Sequence, residues 1–394
     1  MNTQTQNIAS KLTELHHWIN GGSVPPVSGQ FIETVSPMTG VVSLKVAAGN
    51  EIDVDAATQA AKTVAEAWRR FNPAERGRPM LALAARMRAR KEELAEIELA
   101  DTGKPMAGVL AEIEGSAQYF EFYGSLVYLL KGDILDVAPD QHVYTKREPF
   151  GVIGIITPWN LPLNQAARAI APALTAGNVV VAKPSEITSR TTIELARMAS
   201  EVGFPSGAIN IVLGTGKDVC EAIVRHPAVR KVAFTGSVAV GRAIGHIAAD
   251  RVIPLTLELG GKSANIVFED ADLDFAATET VKGFTLNAGQ VCSAGTRVIV
   301  QRSVYETFNA KLTKAFEAVV PGDTLGPIIT PAQFQRVKGY FKVAQDDGAR
   351  CLAGGKLPMS KGRKMGFTSN RPFIQVSQTT CGSLRKKFSA QSVW

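Results

Sequence analysis

Cysteine and histidine are scarce in this chain: 394 residues carry four of the first and five of the second. The cysteines, at 220, 292, 351 and 381, have no CxxC or cysteine/histidine spacing, so neither a disulfide framework nor a zinc site is expected. A reducing cytoplasm is the expected compartment. No apolar run approaches the roughly twenty residues of a membrane span, and "MNTQTQNIASKLTELHHWINGG" lacks both a basic flank with an apolar core and a cleavage site. Neither a membrane nor an export route is therefore expected. Internal repeats and low-complexity segments are also missing.

One acid-free region is also rich in basic residues. Residues 361–394 hold Lys361, Arg363, Lys364, Arg371, Arg385, Lys386 and Lys387 and no Asp or Glu. These seven account for the net charge of +7, since the other Lys and Arg balance the 36 acidic residues. The body is neutral, which argues against the counterion-release binding that basic proteins make with nucleic acid. The tail also loses the apolar periodicity found upstream.

What the chain has in quantity is alternation. Helical patterns cover residues 55–71, then "PAERGRPMLALAARMRARKEELAEIELADTG" at 73–103, then a third segment ending near Leu130. "DVAPDQHVYTKREPFG" reads as an exposed hairpin. Short apolar runs, "VIGIIT", "NVVVAK", "AINIVL" and "KVAFTG", then alternate with helical patterns at 165–176, 189–202 and 218–226. This is the order that builds a parallel sheet. A second series, "ANIVF", "TRVIVQ" and a helix at 304–320, follows "LELGGKS".

Five segments carry possible chemistry. "TPWN", with Trp159 and Asn160, and "AKPSE", with Lys183, Ser185 and Glu186, each end an apolar run, where open parallel sheets bind ligands. "FTGSVAVG" passes from strand to helix through Gly236 and Ser237 to Gly241, offering free N–H groups and a positive helix end to an anion. Alone, each reads as readily as a turn, a surface lysine or a cap. Glu258 stands in the apolar stretch "IPLTLELGG", where a buried carboxylate needs a partner or a raised pKa, and a raised pKa suits a general base. A capping or salt-bridged glutamate is the alternative. Cys292, in "NAGQVCSAGTR", lies between Gly289 and Gly295, ten residues from Lys282, the nearest lysine or histidine in sequence. Taken alone it reads as a small apolar filler.

Taken together and in this order, the segments resemble the aldehyde dehydrogenase superfamily over about residues 30–365. The resemblance implies an α/β fold: a Rossmann-like nucleotide-binding domain of residues 1–130 and 151–259, an oligomerisation hairpin at 131–150, and an α/β catalytic domain at 260–364, incomplete here. It implies oxidation of an aldehyde to an acid, with Cys292 as the nucleophile that forms a hemithioacetal and then a thioester. Asn160 and the Cys292 N–H would hold the oxyanion, and Glu258 would activate the hydrolytic water. Trp159, Lys183, Ser185, Glu186, Gly214, Gly236, Ser237 and Gly241 would bind NAD, with NADP use open, because a carboxylate at 186 disfavours a 2′-phosphate. No metal is implied. The expected partner is an aldehyde whose identity the residues leave open, and the expected assembly is a homo-oligomer. Val238 stands where relatives commonly carry threonine. An acylating branch that passes the thioester to coenzyme A is disfavoured by Glu258.

The tail departs from the family pattern, which continues with an "EEIFGPV" motif. Read one base out of frame, permitted codons for "RKKFSAQS" at 385–392 give Glu-Glu-Ile-Phe-Gly-Pro-Val, and those for "NRPFI" at 370–374 give Pro-Thr-Ile. The expectation is a frame-shifted tail over 365–394, through one base lost or two gained between about residues 355 and 372. The alternative function is then an inactive fragment that retains NAD binding without turnover.

Overall fold

The computed structural model describes residues 12–321, 323–354 and 373–375. Its centre is a seven-stranded sheet in the order Leu255–Leu259, Val229–Gly236, Val152–Ile156, Val179–Lys183, Ile209–Ile211, His17–Ile19, Gly22–Val24. The first five strands are parallel, and the last two add antiparallel at the Ile209–Ile211 edge. Val152–Ile156 and Val179–Lys183 are buried at every position. Strands covered on both faces read as continuous apolar runs, which is why "VIGII" and "VVVAK" were recognisable in the sequence. The helices Pro162–Thr175, Arg190–Glu201 and Val238–Asp250 return the chain between strands. The expected 218–226 helix is a π turn at Gly216–Cys220 running into Glu221–Arg225.

Three features differ from the sequence reading. The residues before the first helix form five short strands, including a three-stranded sheet of Glu14–Leu15, Val42–Ala47 and Phe31–Val35. These strands pair over distances that local periodicity does not report. The helical pattern at 73–103 is two helices, Pro73–Ala89 and Lys91–Thr102. Arg90 separates them with φ −112° and ψ 24°, its guanidinium paired to Glu93 and, at 2.9 Å, to Glu194. Glu258 is the third difference and belongs with the site.

Capping fixes where the early helices start. Asn50 with Asp53, and Asn72 with Glu75, make reciprocal capping boxes at the starts of Glu51–Arg70 and Pro73–Ala89. The main core packs these helices on the sheet around Trp68, which is fully buried, donates from Nε1 to Leu174 O at 3.1 Å and lies against Phe204. Truncating such a residue to alanine typically costs about 3–5 kcal/mol. A second cluster, Val267, Ala277, Val281, Phe308 and Leu312, joins the parallel pair Ala264–Val267 and Arg297–Val300 to the helices Leu273–Thr285 and Tyr305–Glu317. Ile134–Ala138 and Gln141–Tyr144 pair as an exposed antiparallel hairpin. Of the tail, Phe373–Gln375 pairs antiparallel with Arg350–Ala353. The rest of residues 365–394, and the expected change of frame with them, lies outside the described residues.

Candidate active site

Strand register places the candidate residues at one end of the sheet. Ile156 pairs with both Lys183 and Phe234, Ala182 with Ile211, and Thr235 with Glu258. The carboxyl ends of the five parallel strands therefore present Thr157 to Asn160, Lys183 to Glu186, Gly214, Gly236 with Ser237, and Glu258 toward a common space. Open α/β sheets bind ligands there.

Close packing dictates glycine at three of these positions. Gly214 has φ +144°, and a Cβ there would fall 2.6 Å from Val219 Cγ2 and 3.0 Å from both N and O of Gly49. A Cβ on Gly236 would meet the Phe234 ring at 2.6 Å. Ser237 caps the Val238–Asp250 helix by accepting from Val240 N at 3.2 Å, so the first N–H groups of that helix point past Ser237. Gly241 faces Leu259, where a Cβ would come within 2.8 Å, and so lets the helix lie close on the strand. Lys183 is buried and pairs through Nζ with Glu186 Oε2 at 2.8 Å, while Glu186 stays partly open. Ser185 is buried between them and Trp159 is half-buried.

The helices Lys91–Thr102, Met106–Ser125 and Arg190–Glu201 share a buried ionic cluster. Lys104 pairs with Glu98 at 3.3 Å and with Glu112, and Thr191 Oγ1 donates to Glu98 Oε2 at 2.7 Å. Burial pushes the Glu112 carboxyl well up, with Glu98 adding to the shift and Lys104 opposing it. Asp101, which accepts from Arg190 Nε at 2.7 Å, is pushed up to about 6 by burial against the pull of Arg190. On the next-to-last strand of the sheet His17 is buried, its Nδ1 accepting from Leu213 N at 3.0 Å and its Nε2 lying 3.5 Å from Asp53 Oδ1. Burial pushes its pKa down.

The cysteine loop reaches this space from residues 130 positions away. Asn160 Nδ2 donates to Gln290 O at 2.9 Å, and Asn287 Nδ2 returns a bond to Asn160 O at 2.9 Å. Because Gln290 O can only accept, the Asn160 amide is oriented with its NH₂ toward the loop, and among the described residues its second N–H has no protein acceptor. Asn287 and Ala288 have φ 49° and 54°, followed by Gly289 at 69°. Left-handed backbone at a non-glycine residue costs about 1–2 kcal/mol, so the loop is held by other contacts. Gln290 supplies them, and Cys292 follows two residues later, half-buried. Among the described residues the Cys292 N–H donates to no backbone carbonyl. A Cβ on Gly261 would lie 3.7 Å from Cys292 O, so "LELGG" approaches the same loop.

Glu258 is not buried. Its side chain is 48% exposed and its Oε1 forms an ion pair with Arg168 Nη2 at 2.9 Å. Leu255–Leu259 is the outermost strand, so the apolar stretch around Glu258 is largely open to solvent. The expected burial fails for that reason, and the carboxylate is satisfied by an ion pair instead. Sequence reading also passed over Gln290, His17 and Arg168. A bulky polar residue between Gly289 and Cys292, in a run of small ones, was the available signal for Gln290.

A parallel sheet with its glycine turns and helix start at one end, and a loop carrying a free cysteine hydrogen-bonded to a strand-end asparagine, define an α/β architecture of the dinucleotide-binding kind. The pattern of the aldehyde dehydrogenase family matches residues 24–379. The chain belongs to that family. It is 40% identical over 344 residues to betaine aldehyde dehydrogenase 2 of Rhizobium meliloti, covering 86% of this chain and 71% of the relative. Among solved structures, the NAD-dependent aldehyde dehydrogenase of Sinorhizobium meliloti superposes with a TM-score of 0.88 at 38% identity, over 92% of this chain and 73% of the other. The NAD+ complex of an aldehyde dehydrogenase from Bacillus cereus gives 0.87 at 36%, over 90% and 74%.

Proposed function

We propose that this protein oxidises an aldehyde to a carboxylic acid through a covalent intermediate on Cys292, with NAD as cofactor. The observation that carries the proposal is the Asn160–Gln290 hydrogen bond, which sets the cysteine loop against the strand end where the dinucleotide cleft opens. Cys292 Sγ gives its proton to Glu258, directly or through water, and adds to the aldehyde carbon, so that the carbonyl oxygen becomes an oxyanion. The spare N–H of Asn160 and the Cys292 N–H are the donors available to it. Bound NAD supplies the two-electron oxidant for the hemithioacetal carbon. The resulting thioester on Cys292 is cleaved by water, which releases the acid and returns the thiol. Glu258 is the base for that water, and to serve it the carboxylate turns from Arg168 toward the nearby Cys292 loop.

The N–H groups after Ser237 would meet a dinucleotide pyrophosphate, with the tightly packed turns at Gly214 and Gly236 beside it, since a helix start offers donors to an anion. The Lys183 and Glu186 pair would take the adenosine ribose hydroxyls, and Glu186 would disfavour a 2′-phosphate, so NAD is preferred over NADP. Trp159 and Ser185 complete the cleft, and Gly241 seats the helix that offers those N–H groups close on its strand. We assign residues 1–130 and 151–259 to the nucleotide-binding domain and 260–364 to the catalytic domain. The 131–150 hairpin, with Ile134, Val137 and Tyr144 exposed, is assigned to contact between copies. Glu258→Gln tests the mechanism: NADH should be released once per site while the thioester accumulates and the steady-state rate falls. Undiminished steady-state turnover would remove Glu258 from its role.

A second reading is a chain that binds NAD without turning over. It is favoured by the out-of-frame motifs in residues 370–392 and by the exposure of Leu257, Ile266 and Phe268 beside the catalytic loop, an apolar edge of the kind folded enzymes cover. Sequencing the gene decides it: an early stop codon in the restored frame would sink this reading.

A further inference from the structure

We propose that Gln290 is the positioning residue that holds the Cys292 nucleophile and the Asn160 donor in register, a role that rests on the assignment of those two residues above. Its side chain is buried and uses its polar groups on three residues of two chain segments. Oε1 accepts from Ile329 N at 3.0 Å, and Nε2 donates to Asn287 O at 3.0 Å and to Pro327 O at 3.1 Å. This set admits one amide orientation only, because Ile329 N can only donate and the two carbonyls can only accept. The main chain of Gln290 adds a bond from its N to Asn287 O at 3.0 Å, and its O receives Asn160 Nδ2. One residue therefore closes the left-handed turn at 287–289, ties it to the segment at 327–329 and sets the partner of Asn160. No bulkier or shorter side chain makes the three contacts at once. Glutamate has the right length but would set a second acceptor against two carbonyls unless it is protonated.

The test is the rate at which a neutral alkylating reagent, iodoacetamide, modifies each cysteine, resolved by peptide mass spectrometry and needing no turnover. Cys220 is the internal control, since it is buried in the main core and burial raises its thiol pKa. Gln290→Ala should speed modification of Cys292 by about fivefold or more, as expected when a loop loses hydrogen bonds worth about that factor each. Cys220 should stay as protected as before. Gln290→Glu should show the same acceleration at pH 8 and lose most of it, relative to the parent protein at equal pH, by pH 5.5, where the protonated carboxyl regains one donor. An unchanged Cys292 rate in both variants overturns the proposal, and so does equal acceleration at Cys220, which would show general loosening. A pH-independent ratio for Gln290→Glu also overturns it. Whether Cys292 is the nucleophile is decided separately by turnover of Cys292→Ala, so failure of that assignment and failure of the positioning role give different results.

Discussion

Replacing Gly214 by alanine perturbs the cofactor end of the sheet in a way the geometry quantifies. The added methyl would sit 2.6 Å from Val219 Cγ2 and 3.0 Å from two backbone atoms of Gly49, and φ +144° is a conformation that side chains other than glycine rarely adopt. Backbone strain of about 1–3 kcal/mol and overpacking of about 1–3 kcal/mol together predict a loss of roughly 2–6 kcal/mol. Part of that strain is relieved by moving the turn, and the turn is part of the proposed cleft. The affinity for NAD should therefore fall by about tenfold or more, equivalent to about 1.4 kcal/mol. Gly245→Ala is the matched control: it lies in the Val238–Asp250 helix with nothing within 4 Å of its added methyl. It should gain about 0.4–1 kcal/mol and bind NAD as before. Urea unfolding gives the first quantity and equilibrium dialysis with NAD the second. A Gly214→Ala protein with an unchanged urea midpoint and unchanged NAD affinity would refute the reasoning.

Other expectations follow from the same contacts. Glu186→Gln should raise the efficiency with NADP relative to NAD, mostly through KM, and an unchanged ratio would show that Glu186 faces elsewhere. Lys104→Met leaves Glu98 and Glu112 buried without a cation and should cost about 3–5 kcal/mol in urea. Because burial raises the Glu112 pKa, this deficit should shrink as the pH falls, and a pH-independent deficit would argue against it. His17 has its folded-state pKa pushed below 6.5 by burial, so the unfolded chain binds the proton first. Its contribution to stability is complete above about pH 6.5 and is lost as the pH falls through 6.5 toward the folded value, by up to about 1.4 kcal/mol per pH unit. His17→Asn keeps an acceptor for Leu213 N and should flatten that slope. Identical slopes in urea titrations from pH 7.5 to 5 would contradict the assignment.

The parts of the fold that were legible are those where one segment's own pattern reports its surroundings. The strands at 152–156 and 179–183 are apolar throughout because both faces are covered. Glu258 shows the limit of the same logic: its apolar neighbours suggested burial, but an outermost strand leaves them open, and only the strand order reveals which strand that is. His17 was invisible for a related reason, since its partner Leu213 lies 196 residues away. In the cysteine loop the sequence pointed to Cys292, while the left-handed turn begins at Asn287 and Ala288, two non-glycine residues ahead of Gly289. The hydrogen bonds that hold that turn come from one glutamine with partners at 287, 327 and 329, which a local pattern does not contain.

The central claim, that Cys292 carries the substrate carbon through oxidation, is tested most directly by mass spectrometry of the protein quenched in acid after brief mixing with NAD and an aldehyde. The account predicts an acyl group on the Cys292 peptide, absent without NAD and more abundant in Glu258→Gln. NADH formed with no adduct at Cys292, or neither NADH nor adduct with any aldehyde of a broad panel, would contradict it.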